Sequence, residues 1–93
     1  MAGRGVPEVV VEFFGMARAR AGRPELALRA ATARAALAEA RAACPGLGEL
    51  CRPGGGLAPH YLLSLDGERF LADLDEPLPP GARLLLLSAD AGG

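Results

Sequence analysis

A single α+β domain, a mixed sheet with one main helix packed on one face, follows from three features of the 93-residue sequence. The two most apolar runs, "VVVEFF" and "ARLLLLSA", are strand-like and lie at opposite ends of the chain. Only one stretch, from Ala33 to Cys44, carries apolar residues at helical spacing. Asp66-Gly67, between the apolar segments "HYLLSL" and "RFLADL", signals a tight hairpin turn, because both positions tolerate positive φ. Hydrophobic residues make up 51% and charged residues 23%, a composition that folds rather than stays disordered. One core is what this length supports.

The elements follow in order. Pro7 to Phe14, rich in β-branched and aromatic residues, predicts a first strand buried on much of both faces. Gly15 and Gly22 bracket "MARARA", after which "RPELALRA" alternates Leu26 and Leu28 with polar or small neighbours; this predicts a hairpin with a wide loop. Thr32 is a good N-cap, since its hydroxyl can accept from a free amide of the first helical turn. Ala33, Ala36, Leu37, Ala40 and Cys44 then form a thin apolar face with one large side chain, so the helix must pack closely on a sheet. Pro45 and Gly46 end it. The segment "PGLGELCRPGGGLAP" holds too many breakers for a regular element and reads as a loop. "DEPLPPG" is a rigid connector, and the four consecutive leucines of "ARLLLLSA" predict a central strand buried on both faces.

The order is strand, strand, helix, strand, short strand, strand. Apolar strands belong in the middle of a sheet, so the first and last stand side by side with the helix covering one face; if they run parallel, the handedness rule for crossovers fixes most of the topology. This is a β-grasp. Residues 1–88 are expected to form the domain and residues 89–93 a short mobile arm, ending in Gly92-Gly93.

Ten basic against eleven acidic residues give a formal charge of -1. The one local basic cluster is Arg18, Arg20 and Arg23, which argues against nucleic acid as a partner. "MAGRGVPEVVVEFF" offers neither a signal peptide nor a membrane span, so a cytoplasmic protein is expected. Cys44 and Cys51 are too few for a zinc site, with His60 the only further candidate; they read as reduced thiols, a disulfide being the alternative. "PGGGL" lacks the strand and helix that a phosphate-binding loop requires. His60 has no evident nucleophile partner, and Asp73, Asp75 and Glu76 read as solvated surface. A self-contained enzyme is therefore not expected. Glycines without side chains could instead thread a narrow channel and carry a terminal carboxylate into a partner's reaction centre. Such a carboxylate must be activated as an acyl adenylate, with ATP supplied by the partner.

With "VVVEFFGMARARAG", "DGERF", "EPLPPGARLLLLS" and the final "GG", the chain resembles the MoaD/ThiS group of ubiquitin-like sulfur carriers, especially the small subunit of molybdopterin synthase. The resemblance implies that an E1-like enzyme adenylates Gly93 and that a sulfur donor, such as a cysteine desulfurase or rhodanese system, converts it to a thiocarboxylate. It makes Gly92 the threading residue and the molybdopterin synthase large subunit, which holds a pterin precursor, the recipient. No bound cofactor or metal is implied, and the chain would be a non-catalytic sulfur-donating subunit. Phe14, Arg18 and Leu87 match partner-contacting positions, although Phe14 and Leu87 could equally be core and Arg18 a solvated loop residue. The loop over residues 45–59 matches poorly, and Ala89-Asp90-Ala91 stands where relatives often carry proline.

Two other functions fit the same residues. One is a ubiquitin-like protein modifier; every basic residue being arginine, ordinary lysine-linked chains of this protein are ruled out, though single conjugation is not. The other is a β-grasp interaction domain with an incidental tail. Sulfur carriage for thiamine or another pathway also remains open.

Overall fold

Strands β1 (Glu8–Phe13) and β5 (Arg83–Ser88) pair in parallel at the centre of a five-stranded mixed sheet. The fold was obtained as a computed structural model, which describes residues 6–53 and 56–88. The short helix α1 (Met16–Ala21) leads from β1 to β2 (Glu25–Arg29), and α2 (Ala33–Ala43) crosses back over one face. A 3-10 turn (Pro45–Leu47), β3 (Tyr61–Leu65) and β4 (Arg69–Phe70) precede β5. The strand order is β2-β1-β5-β3-β4, with all pairs antiparallel except β1 and β5. This is the β-grasp arrangement that the element order predicts.

Alternation along each strand sends Val9, Val11 and Phe13, then Leu84 and Leu86, then Tyr61, Leu63 and Leu65, into one core. Against them α2 places Ala33, Ala36, Leu37 and Ala40, all fully buried. Three alanines and one leucine let the helix lie close to the strands, and burying Leu37 contributes about 1.5–3 kcal/mol. Thr32 caps this helix as expected, its hydroxyl accepting from the Ala35 N–H at 3.2 Å. Asp66 and Gly67 take φ of 56° and 72°, the left-handed pair that the turn between β3 and β4 needs.

Three expectations are corrected. The central strands are buried on one face only, because α2 supplies the single covering layer; Val10, Leu85 and Leu87 are half-buried on the other. The loop after β1 contains α1, since Met, Ala and Arg are strong helix formers. The bracketing glycines are its caps, and Gly22 at φ 77° donates its N–H to the Arg18 carbonyl. Finally, the breaker-rich segment is not open loop throughout: it forms the 3-10 turn and inserts Leu47 and Leu50, both fully buried, into the core.

The connector between β4 and β5 is clamped onto α2. Pro77 bridges to Thr32, the Leu78 N–H donates to the Ala31 carbonyl at 2.8 Å, and the Arg34 N–H donates to the Leu74 carbonyl at 2.9 Å. Asp75, exposed, and Glu76, half-buried, are ion-paired: Asp75 with Arg34 at 2.8 Å, and Glu76 with Arg69. The hydrogen bonds from Arg34 and Arg69 hold the two carboxyls below their ordinary values.

Gly46 abuts the backbone of α1 so closely that an added Cβ would overlap the Arg20 carbonyl oxygen. A Gly46→Ala variant should lose about 1–3 kcal/mol of stability in denaturant unfolding; an unchanged midpoint would contradict this packing. The carboxyls give a second expectation. A depressed folded pKa contributes stability that is fully present above the ordinary values of 3.8 (Asp75) and 4.5 (Glu76) and is lost as pH falls through the lower folded values. The melting temperature of an Asp75→Asn/Glu76→Gln variant should therefore lie slightly below wild type at neutral pH, the gap closing in acid. A gap independent of pH would rule out the paired charges as its source.

Candidate functional site

Ser88, the last described residue of β5, is fixed by buried polar contacts. The Ser88 hydroxyl accepts from the Ala17 N–H at 3.1 Å, tying α1 to the end of β5 across 71 residues of sequence. Beside it, the Phe14 N–H donates to the Leu86 carbonyl at 3.0 Å, and Tyr61 pairs with Ser88 from β3. Gly92 and Gly93 lie outside the described residues. Gly93 is the fifth residue after Ser88, a stretch that can span at most about 18 Å.

On the face opposite α2, strand register assembles an apolar surface next to this exit. Leu87 pairs with Leu62, and Phe14, one residue past β1, continues the same alternation on the other side of β5. Leu85 lies between Glu12 and Ser64, and Ser64 in turn opposes Phe70. Phe14, Leu62 and Phe70 are 39%, 41% and 63% exposed, well above what core packing leaves to side chains of this size. Leu85 and Leu87 are half-buried between them. The other half of the face is polar: the Arg83 guanidinium pairs with Glu12 and, at 3.2 Å, with Glu25, bridging β5, β1 and β2. These hydrogen bonds, Glu12 first, raise the arginine pKa further and keep it charged.

The structure thus brings Phe14 and Leu87 together on an open surface, and Arg18 is exposed on α1 one residue from the Ala17 anchor. Leu62 and Phe70 join them, although the sequence reading did not single them out. The signal was present in "YLLSL", where Leu62 falls between inward-facing Tyr61 and Leu63, but only the pairing register places it beside Leu87. His60 stacks on Tyr61 with ring centroids 4.5 Å apart. Cys44 and Cys51 are both free thiols, so the alternative disulfide is not formed. Among the described residues there is no pocket and no group of three acidic, Cys or His side chains placed to hold a metal ion. No helix among them is long and apolar enough to cross a membrane.

The sequence matches no protein-family model and no curated protein. Its fold matches solved structures over nearly the whole chain. Small archaeal modifier protein 1 of Methanosarcina acetivorans superposes with a TM-score of 0.82 at 23% identity, over 95% of this chain and 98% of that one. The protein of the same name from Haloferax volcanii gives 0.79 at 26% identity, over 92% and 99%. A Pyrococcus furiosus protein assigned as molybdopterin converting factor, subunit 1, gives 0.71 at 19% identity, over 88% and 97%. The chain is therefore a β-grasp domain of the ubiquitin-like kind, with the fold of the MoaD/ThiS group that its sequence resembles.

Proposed function

We propose that the chain is a sulfur carrier acting in molybdopterin biosynthesis, with Gly93 as the residue that bears the sulfur. An E1-like enzyme binds ATP; the Gly93 carboxylate oxygen attacks the α-phosphorus, pyrophosphate leaves, and an acyl adenylate results. The outer sulfur of a donor persulfide then displaces AMP at the carbonyl carbon, giving an acyl disulfide; a second thiol attacks the donor's sulfur, forms a disulfide with it and releases the thiocarboxylate that a molybdopterin synthase large subunit consumes. Gly92 lets the arm pass a narrow channel. The observation that supports this reading most is positional: the rigidly held end of β5 at Ser88 lies beside an exposed apolar row of Phe14, Leu87 and Leu62. Such a row suits the central contact of a partner interface, and Arg18 flanks it. The fold shared with a molybdopterin converting factor subunit is compatible with this pathway and equally with other sulfur-transfer routes.

A second reading draws on the two archaeal neighbours, which are named as modifier proteins. A modifier would leave acid-stable adducts on target proteins, each a single conjugation, since this chain offers no lysine for elongation.

Intact mass of the chain co-produced with its E1-like enzyme and a sulfur source separates these readings. The carrier should gain the mass of one oxygen exchanged for sulfur, mapped to Gly93. An unmodified terminus, with the enzyme active on another carrier, would sink the proposal. A Leu62→Asp variant should weaken binding to the activating enzyme or the large subunit by about tenfold or more without lowering the melting temperature. Full affinity in that variant would remove the apolar row from the interface.

A further inference from the structure

The basic cluster at α1 has no part in the fold. Arg18, Arg20 and Arg23 are all exposed, and among the described residues none of them makes an ion pair. Arg34, Arg69 and Arg83, by contrast, are each paired with a carboxylate on other parts of the surface. From Gly15 to Pro24 the chain holds these three arginines and no acidic residue. Setting their three positive charges apart from the formal -1 of the whole chain leaves -4 on the remainder. The remainder of the chain is therefore net acidic, and this basic pole lies on and just after the helix that Ser88 ties to the end of β5.

Such a pole selects its partner by sign and by shape. An extended polyanion would meet the positive pole but suffer repulsion from the acidic remainder of the domain. A protein carrying a local acidic rim, with an apolar surface behind it, meets both features at once. Opposed fields then orient the encounter before contact, which chiefly raises the association rate and makes it salt-sensitive.

We infer that Arg20 and Arg23 form an electrostatic collar that docks on an acidic rim around the channel of the adenylating protein, orienting the carrier so that residues 89–93 enter first. This deepens the sulfur-carrier reading and rests on it.

ATP–pyrophosphate exchange by the E1-like enzyme, with the full chain as substrate, tests the collar. Wild type should show kcat/KM falling steeply between about 20 and about 300 mM salt as the charges are screened. An Arg20→Gln/Arg23→Gln variant should lose about fivefold to tenfold in kcat/KM at low salt, entirely through KM, and show a flatter salt dependence. The Arg20→Lys/Arg23→Lys variant, which keeps the charge, should restore both. Equal kcat/KM for wild type and the glutamine variant at every salt concentration overturns the collar and leaves the carrier reading standing. A loss in kcat rather than KM, or displacement of the enzyme from the carrier by a short oligodeoxythymidine, also overturns it. No exchange with any carrier variant, by an enzyme active on another carrier, overturns both readings.

Discussion

Everything in this domain depends on the parallel pairing of β1 with β5. Two strands that run the same way cannot be joined by a tight turn, so the rest of the chain has to travel from one to the other. It does so through a hairpin on one side, a crossover helix on one face and a second hairpin on the other side. The pair also fixes the chemistry of the two faces. Register puts Val11 with Leu84 and Phe13 with Leu86 on the helix side, and so forces Leu85 and Leu87 to the opposite side. The exposed apolar surface is a direct consequence of strands that carry apolar residues on both faces, Val10, Leu85 and Leu87 as well as Val11, Leu84 and Leu86, but have only one helix to cover them.

Much of this was legible because each signal was local and redundant. The helix from Ala33, its Thr32 cap, the Asp66-Gly67 turn and the two apolar strands all carry chemistry that acts within a few residues. That the two apolar strands are neighbours followed from the need to bury both runs; their parallel direction is seen in the pairing itself. The misreadings came where tertiary contact overrode a local signal. Gly15 and Gly22 read as loop ends and are helix caps, because the intervening residues favour helix and Ala17 has a core to enter. Pro45, Gly46 and Gly48 read as breakers, yet the turn they make is what points Leu47 and Leu50 inward.

The site was legible to a different depth. Phe14, Arg18 and Leu87 were singled out through a family resemblance, and the structure shows two of them sharing one surface. Leu62 and Phe70 could not be found that way, since only the pairing register sets Leu62 beside Leu87 and Phe70 beside Ser64. The ion pairs of Asp75 and Glu76 were likewise hidden: Arg34 is 41 residues from its partner, a separation no pattern along the chain encodes. These pairs are exposed and contribute little individually. Arg34–Asp75 holds the connector along the first turn of α2, alongside the backbone bonds of Leu78 and Arg34, and Arg69–Glu76 ties it to β4.

The central pairing has a mechanical side. Because β1 and β5 are parallel, the segment entering β1 and the segment leaving β5 lie at opposite ends of the same ladder. Tension applied between them loads the ladder in shear, so that its hydrogen bonds resist together rather than parting one at a time. β3 holds β5 from the other side over five residue pairs, and Ser88 adds a bond at the point where the pull would arrive. A domain pulled at the end of β5 thus acts as a rigid anchor, passing the load into the whole sheet instead of peeling open at its edge.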